Sequence, residues 1–246
     1  MNQNEEYYNF FLQRISQVYS FICFLTILFG LFYWKSFNKA LKIIFGYLCC
    51  RLFLIGLVGL LRWSIANFSK SHWLPIFGEK GLKHIVESDF NFINIFFYLI
   101  YVILPGWFYL KVLEKSKTVI WLKYVITIVV ALQLFNFFFI EGFKSYGIVG
   151  AILSDTFLII VSGYFLWSLS NNPPNLPLLK NSYFWIFLAL FLPHLMQVLI
   201  TITADNLYES NFILYCKTHI VRNFIHIVCQ IFYVLAFKNS KFLKYL

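Results

Sequence analysis

Apolar residues run along this chain in seven long blocks, with short polar links between them. The blocks cover residues 16–34, 41–63, 92–113, 120–140, 146–168, 183–204 and 212–237. Each is close to the ~20 apolar residues that one α-helix needs to cross the hydrocarbon core of a bilayer. The pattern predicts an all-α polytopic integral membrane protein, a seven-transmembrane-helix bundle. The longest link, from about Ser64 to Asp89, is too short to fold independently. Residues 1–246 therefore read as a single transmembrane domain.

Within the blocks, small and breaking residues suggest how helices meet. Gly46, Gly56 and Gly59 in the second span predict close approach to neighbours, as do Gly147, Gly150, Ala151 and Ser154 at the head of the fifth. Pro105-Gly106 predicts a kink near the end of the third span, and Pro193 stands mid-way along the sixth. Gln133 and Asn136 lie one turn apart in the fourth. In the long link, WLPIF at Trp73–Phe77 reads as an interfacial segment, followed by a short amphipathic helix from Glu79 to Ser88. The link NNPPNLP from Asn171 cannot be helical at its prolines.

Two spans depart from uniform greasiness. The seventh contains HIVRNFIHIVCQ, in which His219, Arg222, Asn223, His226 and Gln230 recur every three or four residues and share one helical face. The sixth carries a matching stripe of His194, Gln197, Thr201 and Asp205. A charge at mid-bilayer costs on the order of 2.5–3.5 kcal/mol even on the lenient insertion scale, so both stripes are expected to turn inward and meet. Counting ~1.5 Å per residue from the helix ends, Arg51, His194, Gln197, Arg222 and His226 fall in the central layer. Asp155 lies nearer the N-terminal end of its span. Two deep arginines then face one deep carboxylate. Asp155 can neutralise one of them, and the other needs histidines, amides, water or an external anion, because an unpaired buried guanidinium is not tolerable. Arg51, Asp155, His194, Gln197, Arg222, Asn223 and His226 are the candidate ligand-binding residues.

The composition supports this frame. Hydrophobic residues make up 61% of the chain and charged residues 12%, with 31 phenylalanines, against roughly 25% charged in soluble domains. The net charge of +10 is distributed as topology, not as a nucleic-acid surface. Eleven lysines (35, 39, 42, 111, 115, 117, 123, 180, 238, 241 and 244) fall in alternate links and the C-terminal tail, accompanied only by Glu114. The other links hold seven cations, Arg14, Arg62, Lys70, Lys80, Lys83, Lys144 and Lys217, against eight carboxylates. Basic residues are retained on the cytoplasmic side, which predicts the N-terminus outside and the C-terminus inside. Contact of the basic side with anionic lipid head groups follows. The N-terminal MNQNEEYYNFF lacks a basic leader region, so the first span reads as a retained anchor. Cys23, Cys49, Cys50, Cys216 and Cys229 lack metal-ribbon or CxxC spacing and read as small packing residues.

Reactive chemistry is sparse. His194, His219, His226 and Asp155 have donors suited to zinc, but His219 and His226 stand two turns apart, ~10 Å along the axis, so neither a metal nor another cofactor is expected. Ser154 and Asp155 are adjacent and point apart on a helix, so they form no dyad. Asn67-Phe68-Ser69 matches a glycosylation sequon.

The helix count, outer N-terminus and lack of a soluble domain resemble the seven-transmembrane sensory modules of bacterial signalling systems. SYFWIFLALFLPHLMQVLI from Ser182, an acidic turn and a polar last helix are similar to the final helix pair of small membrane proteins that accompany histidine kinases. The resemblance implies a bacterial inner-membrane location and a ligand-responsive sensor or accessory subunit. It would bind a small or lipid-derived anion and pass its output to a partner protein on the cytoplasmic side. A membrane-embedded lipid-modifying enzyme, with His194 or His226 as base, and a purely structural assembly subunit are the alternative expectations.

Overall fold

The computed structural model describes residues 3–67, 93–113, 118–141, 148–171 and 177–245, and those residues are all-helical, without a strand. Seven helices are long and apolar enough to cross a membrane. They are α1 (Gln3–Tyr33), α2 (Lys39–Asn67), α3 (Asn94–Val112), α4 (Thr118–Phe135), α5 (Ile148–Asn171), α6 (Ser182–Ser210) and α7 (Phe212–Asn239). The interfacial segment Trp73–Phe77, the amphipathic helix Glu79–Ser88, residues 68–69 of the sequon and the prolines at 173–174 lie outside the described residues.

The helices overrun the apolar blocks at several ends, because hydropathy marks lipid and not helix. α1 starts at Gln3, not Ser16, and α6 continues through the acidic stretch to Ser210. Only Asn211 separates α6 from α7. Its backbone N–H donates to Leu207 O at 2.9 Å, and its side-chain Oδ1 accepts from Leu214 N at 3.0 Å, so one residue ends one helix and caps the next. Asn181 caps α6 in the same way through Tyr183 N. α4 loosens into a π-helical turn at Asn136–Ile140. Glu141 follows, hydrogen-bonded by Asn136 Nδ2, and its carboxylate accepts from Val149 N and Gly150 N at 2.6 and 3.4 Å. An acid carried at the end of α4 thus caps the positive N-terminus of α5.

Six helices close a ring in the order α1, α2, α3, α5, α6, α7 and back to α1, and α4 packs outside it on α3 and α5. The outer wall is apolar and aromatic: Phe32, Trp121 and Phe139 are 86%, 74% and 76% exposed. Surface of that kind is stable against acyl chains and not against water, which makes this an integral membrane protein.

The two halves of the ring differ. The half bearing the C-terminus is tightly packed, with Leu41, Ile44, Tyr47, Phe108, Leu158, Ile186, Phe187, Leu190 and Phe237 wholly enclosed. Tyr109, Phe165 and Phe187 stack there with ring centroids 4.7–5.8 Å apart, and Tyr109 Oη hydrogen-bonds Ser162 Oγ at 2.5 Å. Each such aromatic pair contributes about 0.5–1.5 kcal/mol beyond simple burial. The same end is tied by Ser36 to Ser240, by Asn38 Nδ2 donating to Tyr183 Oη at 2.7 Å and by Asn239 Nδ2 donating to Leu179 O at 2.8 Å. The other half is where polar groups collect.

Candidate functional site

A cavity of about 220 Å³ opens inside the ring, toward the end where α3 and α5 begin. Every helix of the ring contributes to its wall: Tyr19 from α1, Arg51 from α2, Tyr98 and Tyr101 from α3, Asp155 from α5, His194 and Gln197 from α6, and Arg222, Asn223 and His226 from α7. α4 contributes nothing. All seven residues singled out in the sequence line this one space.

Arg51 sits at the centre of α2, 8% exposed. Its guanidinium carbon lies 5.6 Å from the ring centre of Tyr19 and 5.5 Å from that of Tyr101, so the cation is held between two aromatic faces. Arg51 Nη2 stands 3.4 Å from His226 Nδ1, while Nε has no hydrogen-bond partner among the described residues. No carboxylate among the described residues forms an ion pair with it.

Asp155 does not neutralise an arginine, as the sequence led us to expect. Its Oδ1 instead accepts from His194 Nδ1 at 2.6 Å, across the α5–α6 interface. Ser154, one residue earlier, turns back onto its own helix, with Oγ donating to Gly150 O and Ala151 O. His194 presents its ring edge-on to Tyr101, 5.4 Å between centroids.

Arg222 is half-buried. Its Nη1 donates to Gln197 Oε1 at 3.4 Å, and Nε and Nη2 donate to Asn223 Oδ1 at 3.4 and 3.2 Å. Asn223 Nδ2 then donates to Ser16 Oγ on α1 at 3.0 Å. These bonds run along the wall from helix to helix: α5 to α6, α6 to α7, α7 to α1 and α7 to α2. Among the described residues, two guanidiniums and one carboxylate line the cavity.

The rest of the two stripes goes elsewhere. His219 and Thr201 line a second cavity, with the His219 ring 4.3 Å from that of Tyr215. Gln230 borders a groove between α1 and α7, and the side chain of Asp205 lies outside the described residues. Gln133 and Asn136 are buried on α4, away from the cavity. The five cysteines are unbridged, and no three His, Cys, Asp or Glu side chains among the described residues gather as a metal-binding group.

Comparison with known protein families, characterised proteins and solved structures finds no match to this chain.

Tyr19, Asn94, Phe97, Tyr98, Tyr101 and Ala151 also line the cavity and were not among the candidate ligand-binding residues read from the sequence, Ala151 having been read only as a packing residue. Aromatic side chains suit lipid and cavity alike, so nothing in the order of residues separates Tyr101 from the many rings facing outward. A usable signal was the register of α3. Asn94, Tyr98 and Tyr101 follow one another at intervals of four and three, which is one face of one helix.

Proposed function

We propose that this protein is a ligand-responsive membrane receptor or accessory subunit that binds a small or lipid-derived anion inside its helical ring. The observation that carries this reading is Arg51, a buried cation on a cavity wall with no carboxylate among the described residues paired to it. Taking a charge out of water costs several kcal/mol even after relaxation, and two tyrosine faces and one imidazole offset only part of that. An anion in the cavity completes the site. Arg51 and Arg222 supply the charge, Gln197, Asn223 and His226 the hydrogen bonds, and Asp155 fixes His194. The closed, aromatic half of the bundle favours a receptor over a pore.

In the orientation set by the basic links, the N-terminus is outside, and the ligand enters from the outer half of a bacterial inner membrane. α6 carries His194 and Gln197 next to Pro193, so a shift on binding bends that helix at the proline. The lysines of the inner links and tail report the shift to a partner protein.

Full-length protein in nanodiscs tests the reading, with inorganic phosphate and acetate as probes. A ligand present at 100 times its Kd stabilises the folded state by about 2.7 kcal/mol, which thermal unfolding detects. Arg51→Leu is expected to lose that response. If neither probe stabilises the wild type, or Arg51→Leu responds as the wild type does, the reading falls.

The 2.6 Å Asp155–His194 pair supports a second reading. A carboxylate that orients an imidazole leaves Nε2 free to take a proton, as a general base does. Turnover of phospholipid by the purified protein, abolished in His194→Ala, would favour a lipid-modifying enzyme.

A further inference from the structure

A groove of about 230 Å³ runs between α1 and α7 on the lipid-facing side of the ring. Ile22, Leu25 and Phe29 of α1 and Ile231 and Val234 of α7 form its walls, and Leu25 and Ile231 are exposed. Its two polar members, Thr26 and Gln230, are each only 2% exposed, and the Thr26 hydroxyl donates to Ile22 O at 2.9 Å. The surface the groove offers is therefore almost wholly hydrocarbon. α1 and α7 run parallel, joined by Asn223 to Ser16 along their length and by Ser36 to Ser240 at the C-terminal end. Along α7, Ile231 and Val234 are followed by Lys238 and Lys241 at intervals of four and three, with helical backbone dihedrals at Ser240 between them. Both lysines stand on the face of α7 that borders the groove, and both are exposed. Neither forms an ion pair with a carboxylate among the described residues. Lys241 Nζ and Lys180 Nζ lie 5.2 and 5.7 Å from the centre of the Phe242 ring, so a third cation stands beside them.

We infer that this groove holds one anionic phospholipid, with an acyl chain along Leu25, Phe29, Ile231 and Val234 and the phosphate at Lys238 and Lys241. An unfilled groove forfeits van der Waals contact along its walls, and acyl chain is the hydrocarbon a bilayer supplies. Lys238 follows Val234 by ~6 Å along the helix axis, so the cations begin one turn beyond the groove. Basic residues just beyond a membrane helix favour anionic head groups over zwitterionic ones. Hydrocarbon wall and cationic end lie in one line on one helix face, which is the order of parts in a phospholipid. The groove shares no lining residue with the central cavity, and its occupancy does not depend on an anion bound there.

The test uses full-length protein in mild detergent, equilibrated with equal amounts of phosphatidylglycerol and phosphatidylcholine and weighed intact by mass spectrometry. Retention of one phosphatidylglycerol is expected, preferred over phosphatidylcholine by about fivefold for each lysine engaged. Equal retention of the two lipids overturns the inference. The double variant Lys238→Gln, Lys241→Gln is expected to abolish the preference. Lys111→Gln with Lys123→Gln removes the same charge from α3 and α4, which do not border the groove, and is expected to leave the preference intact. Equal loss in both double variants means diffuse attraction to a basic surface and overturns a built site. Ile231→Trp fills the groove and is expected to release the lipid with the lysines still in place. Should a variant misfold, phosphatidylglycerol carrying a diazirine on its acyl chain gives the answer on the wild type. Cross-links concentrated on Leu25, Phe29, Ile231 or Val234, in excess over those of the matching phosphatidylcholine probe, support the inference. Cross-links spread evenly over the lipid-facing wall, or a second copy of the chain found seated at the groove, overturn it.

Discussion

Arg51 and His226 join α2 to α7, with guanidinium Nη2 3.4 Å from imidazole Nδ1. The two residues come from α2 and α7, helices that are not neighbours in the ring order. This contact therefore passes over α1, which stands between them in that order, while the other polar bonds around the cavity join adjacent helices. His226 also stacks near Tyr19, 5.5 Å between ring centres, and Tyr19 in turn covers Arg51. Three side chains from three helices are locked into one unit.

That unit predicts energetic coupling. Arg51→Leu and His226→Leu should each destabilise the protein, and the double variant should lose less than the two losses added. Hydrogen bonds between membrane helices average about 0.6 kcal/mol, and the shared aromatic faces raise the expected coupling to about 1 kcal/mol. Arg51→Lys should not restore wild-type stability, because an ammonium has no planar face to lie between two rings. A double-mutant cycle by steric trapping in bicelles measures this. Additivity within 0.3 kcal/mol would mean that the two residues act independently.

The same geometry fixes two histidine tautomers. A guanidinium only donates, so His226 Nδ1 accepts from Arg51 and the imidazole proton sits on Nε2. His194 is the reverse, since an ionised Asp155 only accepts and Nδ1 must carry the proton. Solid-state 15N NMR on selectively labelled protein should therefore show one δ and one ε tautomer among the cavity histidines. Asp155→Asn should release His194 from the δ form and leave His226 unchanged. Two histidines of the same tautomer would contradict the arrangement.

The spans and the inward polar residues were legible because lipid imposes one strict demand, that charge turn away from it. Arg51, His194 and Arg222 could be placed in the interior from that demand alone. Which of them paired could not be read. Two histidines and two arginines at similar depth offer Asp155 equivalent partners on paper, and only the packing of α5 on α6 selects His194. Helix ends were misjudged wherever polar helix continues past the apolar block, as in the first turns of α1 and at Asn206–Ser210 of α6. The glycines of α2 were misread for a different reason: a glycine marks a place where a neighbour can approach, not that one does, whereas Gly150 at the head of α5 does meet Tyr98.

The glycines give the third prediction. Gly46, Gly56 and Gly59, expected at close helix contacts, have nothing within 4 Å of where a Cβ would stand. Gly30, Gly106 and Gly150 are the tight ones, with Phe45 at 2.7 Å, Ile126 at 2.8 Å and Tyr98 at 2.8 Å from that point. Gly56→Ala should therefore stabilise α2 by about 0.5–1 kcal/mol through backbone entropy. Gly30→Ala should cost about 1–3 kcal/mol through overpacking. Gly150→Val should do something more specific. Tyr98 lines the central cavity, so displacing its ring narrows the chamber, and anion binding should fall at least tenfold, beyond what the loss of stability explains. Thermal unfolding and anion titration on the same nanodisc samples separate the two effects.

Gln133 offers the last prediction, away from the cavity. It is 1% exposed on α4, and neither its Oε1 nor its Nε2 has a hydrogen-bond partner among the described residues. A buried amide left without partners costs about 1–3 kcal/mol, whereas an apolar side chain of similar shape does not. Gln133→Leu should raise the unfolding temperature by several degrees. Because α4 contributes no wall to the central cavity, anion affinity should stay within twofold of the wild type. The paired outcome matters, since a substitution that stabilised the protein by collapsing the bundle would also close the cavity. If Gln133→Leu lowers stability, the amide is held by a group not accounted for here, and α4 is anchored to the ring more firmly than its packing on α3 and α5 implies.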